Sequence, residues 1–243
     1  MTPYNSFSIL DDSSSAQNGN LKCAVIIPVG PGHETLVGTA QASVAVAFST
    51  SRGPFTHVIV VPMPDLAGEY GRSRRRNDGI DYALANDLDW IFFLDADDVM
   101  APHTFAAASS YIQDYDAIFG MIAESRLDTP GQMKIRENQL GPTTSIHDIL
   151  QHDPFLTLQM GHFVRTKAAA EIRFDTSLDA GEDFKYYLEL WSRYRCAKIN
   201  HVLFINRRGS HSTGPRSADG GAWRNVVTRL ISEFNSHHTA ESK

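Results

Sequence analysis

Three short uncharged runs, at residues 24–27, 58–61 and 90–94, constrain this chain more than any other feature. Each is rich in β-branched or aromatic residues and bounded by turn formers or charges, which suits a strand buried on both faces. Between them lie segments at 34–48 and 73–87 whose residues suit helices. Strand, helix and strand in alternation imply a parallel sheet with helical crossovers, and in such sheets ligands gather at the carboxyl ends of the strands. The expected fold class is α/β.

The third run ends in Asp95, Asp97 and Asp98. Along an extended strand alternate residues share a face, which puts Asp95 and Asp97 together and Asp98 opposite. Two carboxylates crowded on one side raise each other's pKa unless a cation stands between them. A hard divalent ion, Mn²⁺ or Mg²⁺, accepts oxygen ligands of this kind. Asp98 by itself is read as a cap for a helix expected within "VMAPHTFAAA".

The stretch "GRSRRRNDGIDYA" sets Arg72, Arg74, Arg75 and Arg76 at a helix start, where the macrodipole disfavours exposed cations by about 0.3–1 kcal/mol each. Arg72 and Arg76 are four apart, share a face and suit an anionic group. Arg74 and Arg75 suit a solvated face, paired with Asp78 and Asp81. In "SLDAGEDFKYYLELW", Gly181 permits a tight turn, Glu182 and Asp183 open a helix, and Phe184, Tyr187, Leu188 and Trp191 form its buried stripe. Carboxylates at that end are held ionised by the dipole, which serves a proton-accepting base and a helix cap equally. Of the ten histidines, His211 stands in a Gly, Ser and Pro loop after a strand, from where it could reach a metal; alone it reads as a surface residue.

With 243 residues and 42% hydrophobic content the chain can build one substantial core. A net charge of −6 argues against a broad grip on nucleic acid. Cys23 and Cys196 stand in no metal-ligand spacing and suggest no disulfide framework. No run approaches the ~20 apolar residues of a membrane span, and the first residues lack the basic start and apolar middle of a signal peptide. A cytoplasmic location is expected, with residues 1–20 a flexible lead-in. From 111 onward the pattern loosens: strands are expected within 115–125, 132–138 and 197–208, a strand turning into a helix within 157–172, and helices at 145–153, 182–194 and 222–234.

Four blocks, in order, resemble glycosyltransferase family 2, the inverting enzymes of GT-A fold that use nucleotide sugars. "CAVIIPVGPG" is similar to the family's first strand and nucleotide-contacting turn, and "GRSRRRNDGIDYA" to its Gly-x-Ser-x-x-Arg-Asn-x-Gly-Ile segment. "WIFFLDADDVM" is similar to its Asp-x-Asp strand, and "FDTSLDAGEDFKYYLEL" to the segment with its Glu-Asp motif. The resemblance implies a Rossmann-like, mostly parallel central sheet, with a nucleotide-sugar half at 21–119, a mixed acceptor half at 120–206 and a closing loop and helix at 207–243, all in one GT-A domain. It makes Asp97 the direct metal ligand, with Asp95 on ribose or on the metal through water, and Asp183 the general base. Pro28, Val29 and Gly30 would line the nucleotide pocket, Arg72 or Arg76 would lie near base or diphosphate, and His211 would match a late metal or diphosphate contact. The family's acidic cluster after the second strand is missing, and Asp65 is the one nearby carboxylate to take a base-reading place.

The implied reaction transfers a sugar from a nucleoside diphosphate, in the first instance UDP, to a glycan, lipid-linked or small-molecule acceptor, with a divalent cation as cofactor. Two other readings stay open: a catalytically silent nucleotide-sugar-binding protein of the same fold, and a haloacid-dehalogenase-type phosphatase with Asp95 as nucleophile. The last helix carries an apolar stripe of Trp223, Val226, Val227, Leu230, Ile231 and Phe234 flanked by Arg224 and Arg229. That stripe could lie on the inner membrane face or pack on the domain.

Overall fold

The computed structural model describes residues 8–11, 20–126, 132–209 and 220–240. Its strands are β1 (Ser8–Asp11), β2 (Leu21–Val29), β3 (Phe55–Pro64), β4 (Trp90–Phe93), β5 (Val99–Met100), β6 (Ala117–Arg126), β7 (Lys134–Ile135), β8 (His162–Arg165) and β9 (Cys196–Arg208). The helices are α1 (Val37–Thr50), α2 (Gly71–Ala85), α3 (Thr104–Ala108), α4 (Ile146–Gln151), α5 (Thr166–Ile172), α6 (Glu182–Arg193) and α7 (Gly220–Ala240). The strands form one sheet in the order β1-β3-β2-β4-β8-β6-β9-β5, with β7 on β6.

The centre of the amino-terminal half is parallel, with β2 between β3 and β4. β8 then enters antiparallel between β4 and β6, and β6 pairs with β9 in parallel again. Side-chain alternation divides the core into two layers. Ala24, Ile26, Ile91 and Phe93 face the side covered by α2, α5 and α6, whereas Cys23, Val25, Ile27, Trp90 and Phe92 face that of α1 and α3. A large side chain buried in either layer contributes about 1.5–3 kcal/mol, so both faces of these uncharged runs favour the sheet.

Helix α2 lies against β2 at a position that only glycine allows. A Cβ on Gly79 would fall 2.4 Å from Cγ2 of Ile26, so any larger residue there pushes the helix off the strand. This close seating fixes the start of α2 beside the carboxyl ends of β2, β3 and β4.

Two expectations change. Within the lead-in, Ser8–Asp11 is an antiparallel edge strand on β3, because Leu10 finds apolar neighbours there. Within "VMAPHTFAAA" the helix begins only at Thr104, since Val99 and Met100 pair with Ile205 and Phe204 of β9. The stripe of α7 is turned to the domain: Trp223 and Val227 are buried, and Leu230 and Ile231 pack on the core. That packing uses the face a membrane surface would need. No described helix is long and apolar enough to cross a membrane.

Candidate active site

The carboxyl ends of β2, β3 and β4 open into a cavity of about 890 Å³, walled on the far side by the start of α6 and by Trp223 of α7. Pro28, Val29, Gly30, Asp65, Arg72, Arg76, Asp95, Asp97 and Asp183 all line it. His211 lies outside the described residues.

β4 stops at Phe93, and Asp95–Asp98 form a turn closed by the Asp98 N–H donating to the Asp95 carbonyl at 3.0 Å. The strand alternation expected to separate Asp98 from its neighbours therefore does not apply. One oxygen of each of Asp95, Asp97 and Asp98 lies within 4.8 Å of the others. Asp98 caps no helix; it is buried and accepts from Asn206 Nδ2 and from the Arg207 N–H, both at 3.0 Å. Burial, then Asp97, then Asp95 push its carboxyl well above the usual range, against those two donors. Three carboxylates offering only oxygen, with their charges in conflict, match the donor set of a hard divalent cation.

Arg76 reaches this turn from α2 and donates to Asp95 Oδ1 at 2.7 Å. Its other arm faces Glu182 Oε1 at 3.4 Å. Burial works against its charge, but Asp95 and Glu182 outweigh burial and hold the guanidinium more firmly protonated than usual. Arg72 donates to Glu182 from Nε at 2.5 Å and from Nη2 at 3.2 Å, and to the Asp179 carbonyl at 3.2 Å. Both arginines expected near an anionic ligand are thus held first by carboxylates of the chain. Arg74, 61% exposed, pairs with Asp78 at 3.0 Å as expected for a solvated face, whereas Arg75 meets the same carboxylate at 3.0 Å but is only 19% exposed and lines the cavity; Asp81 pairs with Arg173.

Asp65 lines the cavity but spends its oxygens on three backbone N–H groups, of Glu69, Tyr70 and Gly71, at 2.7–3.0 Å. Burial raises its pKa and these amides, with Arg75, reverse the direction, leaving the carboxyl below its usual value. It satisfies amides at the amino end of α2. Tyr70 beside it is more than half exposed, with the Arg75 guanidinium 4.5 Å above its ring.

Gly181 precedes α6 with φ +78°, the left-handed conformation that glycine adopts without strain. The turn sends Glu182 inward, 2% exposed, to the two arginines, and turns Asp183 to the cavity. Asp183 Oδ1 accepts the Phe184 N–H at 2.8 Å and the Trp223 indole N–H at 3.2 Å. Burial and the charge of Glu182 raise its pKa to about 6, against Arg72 and the two N–H donors. A carboxylate so placed takes a proton readily near neutral pH.

The cavity wall built from residues after 120 was illegible in sequence. Arg136 of "QMKIREN" is buried, donates to Glu124 at 2.6 Å and covers the Phe155 ring at 4.6 Å. Arg208 donates to the same glutamate from the end of β9. No spacing pattern links Glu124, Arg136 and Arg208, since the pairing of β6 with β7 and β9 brings them together. Trp223 looked like one member of an apolar stripe, and its indole nitrogen gave no periodic signal.

The model of the glycosyl transferase family 2 matches residues 63–173, from the end of β3 through α5. Among solved structures, the chain is similar to residues 1-349 of S. aureus TarS. For the complex with UDP-GlcNAc the TM-score is 0.60 at 17% identity, covering 88% of this chain and 66% of that one. For the complex with UDP it is 0.58 at 16% identity, covering 88% and 65%. The chain therefore spans just under two thirds of that TarS fragment. A comparison with curated proteins finds no match. At such identity the likeness is one of fold, and the shared arrangement is the GT-A one.

Proposed function

Since the model of glycosyl transferase family 2 matches residues 63–173, we propose that this chain moves a sugar from a nucleoside-diphosphate donor to an acceptor hydroxyl, with inversion at the anomeric carbon. The observation that carries this reading is the placing of Asp183 and the Asp95–Asp98 turn in one cavity, a proton acceptor and an anion-side anchor around a space of about 890 Å³. The donor we assign is a UDP-sugar, in keeping with the UDP and UDP-GlcNAc complexes of the similar TarS structures.

In this reading Pro28, Val29 and Gly30 hold the nucleoside, and the exposed ring of Tyr70 stacks on the base. Asp65 orders the amino end of α2 and takes no part in reading the base. Asp97, Asp95 and Asp98 would hold a divalent cation, which when bound supplies charge stabilisation to the leaving diphosphate. Arg72 and Arg76 add fixed positive charge behind that site, with Glu182 holding them in place. The acceptor oxygen attacks the anomeric carbon and its proton passes to Asp183. The bond from that carbon to the diphosphate oxygen breaks, and its electron pair leaves with the diphosphate.

The test is incubation of the full chain with UDP-sugars and with Mn²⁺ or a chelator, following UDP release and thermal stability. Metal-dependent stabilisation by UDP together with sugar loss is expected. No stabilisation by any nucleoside diphosphate, and no sugar loss from any donor, would end this reading.

A further inference from the structure

Helix α7 lies outside the matched segment 63–173, yet it is seated on the turn that presents Asp183. A Cβ built on Gly181 would come within 2.8 Å of Val226 Cγ1, so the turn and the helix are in direct contact. One turn earlier on α7, Trp223 is buried with its ring edge-on to Phe184 at 6.2 Å and to Phe155 at 6.4 Å. This packing aims the indole N–H at Asp183 Oδ1. The Phe184 N–H reaches the same oxygen. Among the described residues no hydrogen bond goes to Oδ2, which leaves that oxygen for an incoming hydroxyl.

We propose that Trp223 is a positioning residue for Asp183: its indole N–H fixes the carboxylate by Oδ1, so that Oδ2 faces the acceptor. This rests on the role given to Asp183 above. The buried indole nitrogens of Trp90 and Trp191 find no acceptor among the described residues, so packing of an indole in this core does not by itself bring its N–H to one, whereas that of Trp223 reaches Asp183. A donor on Oδ1 also favours the charged form of the acid. The other groups that bear on this carboxylate are Glu182 and the Tyr187 phenol from α6 and Arg72 from α2; α7 contributes the neutral indole. Loss of the N–H therefore raises the proton affinity of Asp183 and frees its rotamer together.

The experiment compares the whole chain with its Trp223→Phe variant and with the isosteric Trp223→benzothienylalanine variant, which keeps the ring shape without the N–H. Carbon-detected NMR titration of the Asp183 carboxyl is the first readout, since it needs no turnover. Its midpoint should rise by about half a pH unit or more in both variants. In transfer assays kcat should fall about tenfold with KM for the donor unchanged, and the acid limb of the rate profile should move to higher pH. Trp223→His, which retains a ring N–H, should keep part of the rate that Trp223→Phe loses. An unmoved midpoint in the isosteric variant overturns the proposal even if stability or rate has fallen. A wild-type protein that titrates normally but transfers nothing counts against the proposed function instead.

Discussion

The two acidic corners of the cavity are built from the same parts and end in different chemistry. At the start of α6, Glu182 is locked by Arg72 and Arg76, and Asp183 beside it meets only neutral N–H donors. At the end of β4, Asp95 is locked by Arg76, and Asp98 meets only the neutral amides of Asn206 and Arg207. The difference is crowding. A single carboxylate left with neutral donors is a proton site, whereas three with oxygens within 4.8 Å carry more charge than a proton relieves and suit a dication. Arg76 is shared by both corners, donating to Asp95 and facing Glu182.

The strongest way to break this comparison is Asp183→Asn. It removes the proposed proton acceptor and leaves the three acids after β4 in place, so transfer should fall about a thousandfold while donor binding persists; retained turnover would take the base role away. In the wild type the same group predicts that kcat rises with pH through about 6 as Asp183 loses its proton. Its pKa is raised in the folded state, so its linkage runs the other way for stability. The contribution is fully present below the unfolded carboxylate value and is lost as pH rises through about 6.

Glu182→Gln should cost about 1–3 kcal/mol of stability, because it takes a carboxylate partner from the buried Arg76, which keeps Asp95, and from the partly exposed Arg72. A denaturant midpoint close to wild type would mean the arginines find other partners. Asp97→Asn tests the crowded corner: the added stability that Mn²⁺ gives the wild type, about 2.7 kcal/mol at a hundred times its Kd, should disappear in melting curves. At the small end, Arg74→Ala removes an exposed pair with Asp78 on the same helix as Arg76 and should change stability by less than about 1 kcal/mol. A larger loss would show that exposure is not what separates the arginines of α2.

Much of this was legible because short-range rules apply to it. The runs at 24–27, 58–61 and 90–94 became β2, β3 and β4, since apolar residues facing both ways have no other stable place. "GRSRRRNDGIDYA" begins α2 and "EDFKYYLELW" begins α6. Asp98 was misread for a specific reason. Strand parity holds only while the chain is extended, and the turn after Phe93 brought the third acid round to the other two. Asp65 offered a carboxylate near the right place, but the sequence could not tell that three amides would claim it.

The sequence by itself determined the α/β fold, the strand ends that line the cavity, and the presence of acids and arginines at those ends, because each follows from periodicity or from neighbours within one element. The tertiary structure alone decided which charge answers which. Arg72 meets Glu182 across 110 positions and Trp223 meets Asp183 across 40. Hydrogen bonds and ion pairs act over a few ångströms of space and are blind to separation along the chain, so no local pattern could have assigned them.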